Sequence, residues 1–359
     1  MDFSVKSAVM RRVGYAYDTL CGGHASEDAP HPECPERIYS IDKALRLNGF
    51  VDKVVRCGAQ WEVNGVEGGI LATREQLEVV HGKWYLDKVF KNMGLLEDWF
   101  DDIFTNKSTR DSALRATGTA LKMVQMIVDG EIDCGFANVR PPGHHASENR
   151  CAGFCFFNTV AIAAITAARQ GRRVLIVDWD VHYGDGTVAI LKTLAEKDPK
   201  VAENIFFFSI HRWDNGSFYP GAEPHGKSNS LVMSRVDYAN RVINVGFNGE
   251  SRNDPANRII NVGFNGPKGD EFYIDTFKSL VLPLRETFKP DLIIVSAGFD
   301  AAVGDELGGC PVTPRCYGEL TRVLSVITPH VALVLEGGYN LRSISQSAVE
   351  CMKALFIPF

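Results

Sequence analysis

VLIVDWDVHYGDG (174–186) decides the fold. Four apolar residues lead to Asp178, and from there the segment turns polar and glycine-containing. A short apolar run of this kind suits a strand buried on both faces of a parallel sheet. The polar continuation then places chemistry-bearing side chains at the strand's end. The same pattern returns in IFFFSI (205–210), DLIIVSAG (291–298) and VALVLEGG (331–338). Between these runs the spacing of apolar residues predicts helices over 157–169, 186–195, 270–287, 315–327 and 341–355. Earlier in the chain it predicts helices over 36–47, 74–80 and 111–129. Strands alternating with helices predict an α/β fold with a mainly parallel sheet. No Pro/Gly/Ser-rich linker divides the chain, so residues 1–359 are expected to form a single domain.

Composition bounds the possibilities. Apolar residues make up 45% and charged residues 23% of the 359, enough for a substantial core. The net charge of −6 supplies no global basic field, so direct nucleic-acid binding is not expected and any chromatin role would act on protein tails. Nine cysteines (Cys21, Cys34, Cys57, Cys134, Cys151, Cys155, Cys310, Cys316 and Cys351) are scattered, with no CxxC pair. An odd, dispersed set suits reduced thiols that pack as small apolar side chains. The N-terminal MDFSVKSAVMRRVGYAYD lacks a signal peptide's apolar core, and no run approaches the roughly 18 apolar residues of a membrane span. An intracellular protein, nuclear or cytoplasmic, is expected, with no membrane partner.

Four polar clusters follow apolar runs, where parallel α/β sheets gather their sites: RPPGHHA (140–146), DWDVHYGDG (178–186), SAGFD (296–300) and LEGGYN (335–340). DxDxH leaving a buried strand puts Asp178, Asp180 and His182 on one side of an extended chain. Asp180 and His182, joined by the distant Asp300, make a mixed oxygen and nitrogen donor set that suits a catalytic Zn²⁺ with an open position. Taken alone, the aspartates could equally be helix caps or hydrogen-bond acceptors. His144 and His145 follow a rigid PPG turn; beside a metal, one imidazole can serve as base and the other as electrostatic stabiliser, according to the carboxylate behind each. Tyr339 sits in a GGYN turn, whose glycines let the backbone swing a phenol into a pocket.

Together these pieces resemble the histone deacetylases, in particular their class II branch. RPPGHHA, GFCFFN (153–158), DWDVHYGDGT (178–187), SAGFDA (296–301) and LEGGYN stand in that family's order and spacing, and the resemblance extends back to HPECPERI (31–38). It implies an arginase-like α/β domain with a central eight-stranded, mainly parallel sheet. It also implies zinc held by Asp180, His182 and Asp300, with Asp178 behind His144 and Asp185 behind His145. His145 is then the general base and later acid, and His144 its electrostatic partner. Tyr339 would hydrogen-bond the acetyl carbonyl, Gly153, Phe154 and Tyr219 would line the acyl-lysine tunnel, and Arg37 would lie below it where acetate leaves. A structural K⁺ is implied at Asp178, Asp180, His182, Ser209 and Ile210. The expected substrates are acetylated histone tails or other acetylated proteins, and hydroxamate-type inhibitors are expected to bind the zinc.

Two departures stand out. The family's DxDxHHG reads DWDVHYG here, with Tyr183 in place of the second histidine. And ANRVINVGFNG (239–249) recurs as ANRIINVGFNG (256–266), with an offset of 17 residues. PKGD follows the second copy, which is therefore expected in the sheet, with the first an inserted loop; the alternative is a hairpin of the two. At the rim, Asp102 falls where the family grips the substrate backbone, and Leu307 at its gatekeeper position. A leucine there offers no charge to a cationic acetylpolyamine, which favours acetyl-lysine in peptides. An acetylpolyamine or other small-molecule amidohydrolase is the rival within enzymes. An acetyl-lysine binding module is disfavoured by Tyr339, and an arginase-like dimanganese hydrolase by the lack of further bridging carboxylates.

Overall fold

The computed structural model describes residues 10–57, 61–63, 66–68, 70–91, 102–221, 243–246 and 258–357. Its centre is a sheet of nine strands: β1 Val13–Tyr17, β2 Val55–Cys57, β3 Cys134–Asn138, β4 Val174–Asp178, β5 Ile205–Arg212, β6 Ile243–Gly246, β7 Ile259–Phe264, β8 Leu292–Ala297 and β9 Val331–Leu335. They lie in the order β2-β1-β3-β9-β8-β4-β5-β7-β6, and every pairing is parallel. The apolar runs that predicted strands occupy the middle. Val174 to Val177 and Ile293 to Val295 are wholly buried, as strands covered on both faces must be. Helices such as Thr109–Val128, Thr159–Arg169, Pro314–Ile327 and Leu341–Leu355 flank the sheet. Because all strands run the same way, their C-terminal ends share one edge, and each polar cluster leaves the sheet there.

The sheet has one strand more than the eight expected, and the extra strand comes from the duplicated segment. The second copy takes the inner position, as β7. The described part of the first copy, INVG, is neither a loop nor half of a hairpin: it forms the edge strand β6, parallel to β7. Ile243 pairs with Ile260 and Val245 with Val262, so equivalent residues of the two copies lie side by side. A parallel edge accepts a second copy of a strand sequence that already fits the ladder. Residues 239–242 and 247–257, which are the rest of the first copy, the turn-rich link and the first two residues of the second copy, lie outside the described residues.

The other correction concerns 270–287, expected as one helix. The chain forms a helix over Asp270–Thr276, a π-type turn over Phe277–Val281 and a short helix over Leu284–Thr287. Pro283 is the reason: it has no N–H to continue the ladder, and its ring crowds the preceding turn. The helix expected over 74–80 is shorter, Arg74–Leu77. All nine cysteines are free, and eight of them are buried. Among the described residues no helix is long and apolar enough to cross a membrane.

Candidate active site

Asp180, His182 and Asp300 come together beyond the ends of β4 and β8, their ligand atoms all within 4.8 Å of one another. The Nδ1 of His182 lies 3.1 Å from Asp180 Oδ1 and 3.1 Å from Asp300 Oδ2. Backbone amides aim the carboxylates: the N–H of Gly337 donates to Asp180 Oδ2 (2.9 Å) and that of Val181 to Asp300 Oδ1 (2.8 Å). The cradle is tight. A Cβ on Gly298 would stand 2.0 Å from Asp180 Oδ2, and one on Gly337 2.2 Å from Asp300 Oδ2, so both positions require glycine. Burial and the neighbouring Asp180 push the Asp300 carboxyl up to about 7. Burial alone would lower His182, but hydrogen bonds to Asp180 and Asp300 push it up to about 10. Two buried carboxylates against one imidazole leave the group short of positive charge. The donor set, its convergence and its charge therefore fit a divalent cation of zinc's kind.

The tandem histidines stand beside this group, their rings 4.0 Å apart. Each is backed by the carboxylate expected of it: His144 Nδ1 lies 3.1 Å from Asp178 Oδ2, and His145 Nδ1 lies 2.7 Å from Asp185 Oδ1. The environments drive them apart. Burial pulls His144 down, but Asp180 and Asp178 outweigh it and hold the imidazole well above its ordinary value. His145 is lowered to about 4, by burial and by neighbouring His144.

Aromatic rings enclose the approach. Tyr219 meets His145 edge-on at 5.1 Å, and Phe154 meets Tyr339 edge-on at 5.9 Å. Phe154 adopts φ 67°, a conformation that side chains rarely take, and its N–H donates to the carbonyl of Asp102 at 2.9 Å. Exposed Asp102 is thus joined to Phe154 through its backbone. A Cβ on Gly153 would meet His145 at 2.5 Å and the Tyr219 hydroxyl at 2.9 Å, which places Gly153 between the two rings. Leu307 is 41% exposed, in the turn that follows Asp300. Below, the Arg37 guanidinium lies 5.0 Å from the Tyr339 ring centre and donates to the carbonyls of Gly338 (2.6 Å) and Glu336 (2.5 Å). Ser209 is the register partner of Asp178, and its hydroxyl lies 2.8 Å from His211 Nδ1; Ile210 follows it in β5.

Several contributors are absent from the motif reading. Phe218 stacks on His182 at 5.2 Å. Glu33 and Arg140 form a buried ion pair that also takes in Arg37. Buried Glu336 accepts the N–H of Gly143 (2.6 Å) and of His144 (3.2 Å), fixing the turn that carries the histidines. Its place inside LEGGYN was a signal, but nothing local says that its partners lie almost 200 residues away. Glu336 also lies with His144 and Cys155 in a second group of possible ligands within 4.8 Å.

A family model described as "Histone deacetylase domain" matches residues 31–355, so the chain belongs to the histone deacetylase family. It is 36% identical to Histone deacetylase 5 of Arabidopsis thaliana, over 99% of this chain and 50% of that protein. It is 34% identical to Histone deacetylase HDA1 of Saccharomyces cerevisiae, over 96% of this chain and 48% of that protein. The chain thus spans about half the length of the curated relatives it matches. Its fold matches the crystal structure of the HDA15 HD domain with a TM-score of 0.78 at 33% identity, covering 97% of this chain and 91% of that one.

Proposed function

We propose that this protein hydrolyses the side-chain amide of N-ε-acetyl-lysine in histones or other proteins, releasing acetate. One Zn²⁺ would be held by Asp180, His182 and Asp300. The observation that carries this reading is the meeting of that donor group with two carboxylate-backed histidines whose proton affinities are driven in opposite directions. Paired titratable groups pushed apart in this way mark acid and base roles.

When bound, the zinc would polarise an amide carbonyl and acidify a water molecule. His145, held neutral, is the group able to take a proton as water attacks; Asp185 orients its ring for that task. The same imidazole then returns a proton to the departing lysine amine. His144, held cationic between Asp178 and Asp180, stabilises negative charge and keeps the proton traffic on its neighbour. The Tyr339 phenol, kept protonated by burial and by the negative charge of Asp300, donates to the acetyl oxygen as charge develops there. Gly153, Phe154 and Tyr219 enclose the lysine methylenes, Asp102 grips the substrate backbone and Leu307 closes the rim. Arg37 attracts the acetate anion below. Asp178, Ser209 and Ile210, with Asp180 and His182, would hold a structural K⁺ beneath the site, and hydroxamates would bind the zinc.

The test is turnover of a panel of acylated-lysine peptides by zinc-replete protein, with acetylspermidine as competitor and metal content measured alongside. Acetyl-lysine hydrolysis with one zinc per chain is expected, inhibited by a hydroxamate. A preference for acetylspermidine, or two manganese ions per chain, would overturn the reading.

A further inference from the structure

Asp305 has no role in the reading above, yet it is tied to both the rim and the phenol. It lies in the turn after Asp300 and is buried, 3% exposed. The turn fixes it at both ends: its N–H donates to the carbonyl of Ala302 (3.0 Å), and its own carbonyl accepts the N–H of Gly309 (3.0 Å). Its carboxylate then accepts four backbone N–H groups from two segments. Oδ1 takes Leu307 (3.0 Å) and Gly308 (3.2 Å), and Oδ2 takes Tyr339 (2.6 Å) and Asn340 (3.1 Å). Neighbours reinforce the junction. Asn340 Nδ2 donates to the carbonyl of Gly304 at 2.7 Å, and the Ser343 hydroxyl donates to the carbonyl of Val303.

The location gives this junction a purpose beyond holding a loop. Tyr339 follows two glycines, and Gly338 adopts φ 111°, so the backbone entering the phenol-bearing residue has little stiffness of its own. What fixes that residue is its own N–H, held by a charged acceptor, the stronger and shorter kind of hydrogen bond. The ring beyond it has to reach a narrow place between Arg37 and the edge of Phe154. A misplacement of about 1 Å, arising away from the reacting atoms, can cost on the order of 10²-fold in rate. On the other side the same carboxylate fixes Leu307 and Gly308, where the chain packs so closely that a Cβ on Gly308 would lie 1.9 Å from the Asp300 carbonyl oxygen.

We propose that Asp305 is a positioning residue: its carboxylate fixes the Tyr339 phenol in its working position and locks the rim residue Leu307 to it. The inference rests on the role given to Tyr339 above. The experiment is a double-mutant cycle on zinc-replete protein with an acetyl-lysine peptide, using Asp305→Asn, Tyr339→Phe and the pair together. Asp305→Asn is close in shape but replaces one acceptor oxygen with a donor that faces backbone N–H groups. It should lower kcat by about 10–100-fold with zinc content unchanged. Because both changes disable the same donor, the double variant should turn over within about threefold of Tyr339→Phe alone. Asp305→Glu keeps the charge and shifts it by one methylene; it guards against a variant that fails to fold, and should show the same non-additivity. Losses that multiply in the cycle, or wild-type kcat in both Asp305 variants beside an impaired Tyr339→Phe, would overturn the latch alone. Near-normal turnover by Tyr339→Phe would overturn the reading of Tyr339, and the latch with it.

Discussion

Tyr183 and Leu307 show how far single residues carry meaning here. Tyr183 stands where the family's pattern has a second histidine, and its ring packs 4.6 Å from that of His211, itself buried and bonded to Ser209. The replacement turns toward the floor of β5, so the donor group of Asp180, His182 and Asp300 forms without it. Leu307 lies at the other extreme, exposed, and its meaning is chemical. An apolar rim suits the methylenes of a lysine, each worth about 0.8 kcal/mol when buried. Leu307 itself offers nothing to offset the desolvation of a polyamine's secondary ammonium, and the rim carboxylate of Asp102 can meet only the polyamine's far end. Leu307→Glu should therefore raise acetylspermidine turnover relative to acetyl-lysine turnover by about tenfold, the equivalent of one charge-assisted hydrogen bond of about 1.4 kcal/mol. Comparing kcat/KM for the two substrates checks this, and an unmoved ratio would remove the rim from the account of specificity. Residues such as Asp178 and Asp185 could be assigned from the motifs because each histidine's carboxylate lies within the recognised pattern. Glu336 and Asp305 could not, because an acidic side chain gains a role only from the backbone that folding brings to it.

Among the elements, the helix Thr159–Arg169 is tied to the site through Asn158, its N-terminal cap. The Asn158 Oδ1 caps the helix by accepting the N–H of Ala161 at 3.0 Å. Its Nδ2 donates to the carbonyl of Ala146 (2.9 Å) and to Thr187 Oγ1 (3.0 Å), joining the histidine turn to the helix that begins at Asp185. Losing a cap costs about 1 kcal/mol, and stranding the buried partners adds about 1–3 kcal/mol. Asn158→Ala should thus destabilise by about 2–4 kcal/mol and lower Tm by several degrees, with Asn158→Asp, which keeps the cap but sets a buried carboxylate against the Ala146 carbonyl, no better. Thermal melts of the three proteins decide it, and a change under about 0.5 kcal/mol for the alanine variant would show the joint to be redundant. Helix and strand positions were largely legible because their apolar periodicity is local. The misjudged elements have local causes too, visible only in context: Pro283 breaks the 270–287 helix, and β6 exists because an edge in β7 was there to receive it.

At the scale of the whole molecule, one buried charge cluster ties the N-terminal segment to the segments that follow β3 and β9. Glu33 pairs with Arg140 (2.5 Å), which follows β3, and with Arg37 (3.0 Å), which bonds to the backbone beyond β9; all three side chains are wholly buried. Burial by itself would raise the Glu33 carboxyl, but Arg140 and Arg37 outweigh it and bring it down from 4.5 to about 2. A carboxyl with a depressed folded-state value stabilises the fold fully above its ordinary range and loses that contribution as pH falls toward the folded value. Glu33→Gln leaves two guanidinium groups buried without a carboxylate, and should cost about 3–5 kcal/mol at neutral pH. The gap between wild type and variant should shrink between about pH 4.5 and pH 2, as the unfolded chain's Glu33 takes up a proton that the folded chain still excludes. Urea unfolding across that range measures both, and a pH-independent gap would show that the cost comes from packing and not from the charge.

The sequence by itself determined the parallel α/β architecture, the strand ends at which the polar clusters stand and the identity of the family. Apolar periodicity is local, and the motifs are short enough to be seen whole. Only the tertiary structure decided the distance between each histidine and its carboxylate, which way each imidazole's proton affinity moves, and that the duplicated segment widens the sheet. It also decided that Glu33, Asp305 and Glu336 matter at all. Those outcomes depend on burial and on partners brought together from as far as 193 residues apart, and no local pattern in the chain encodes either.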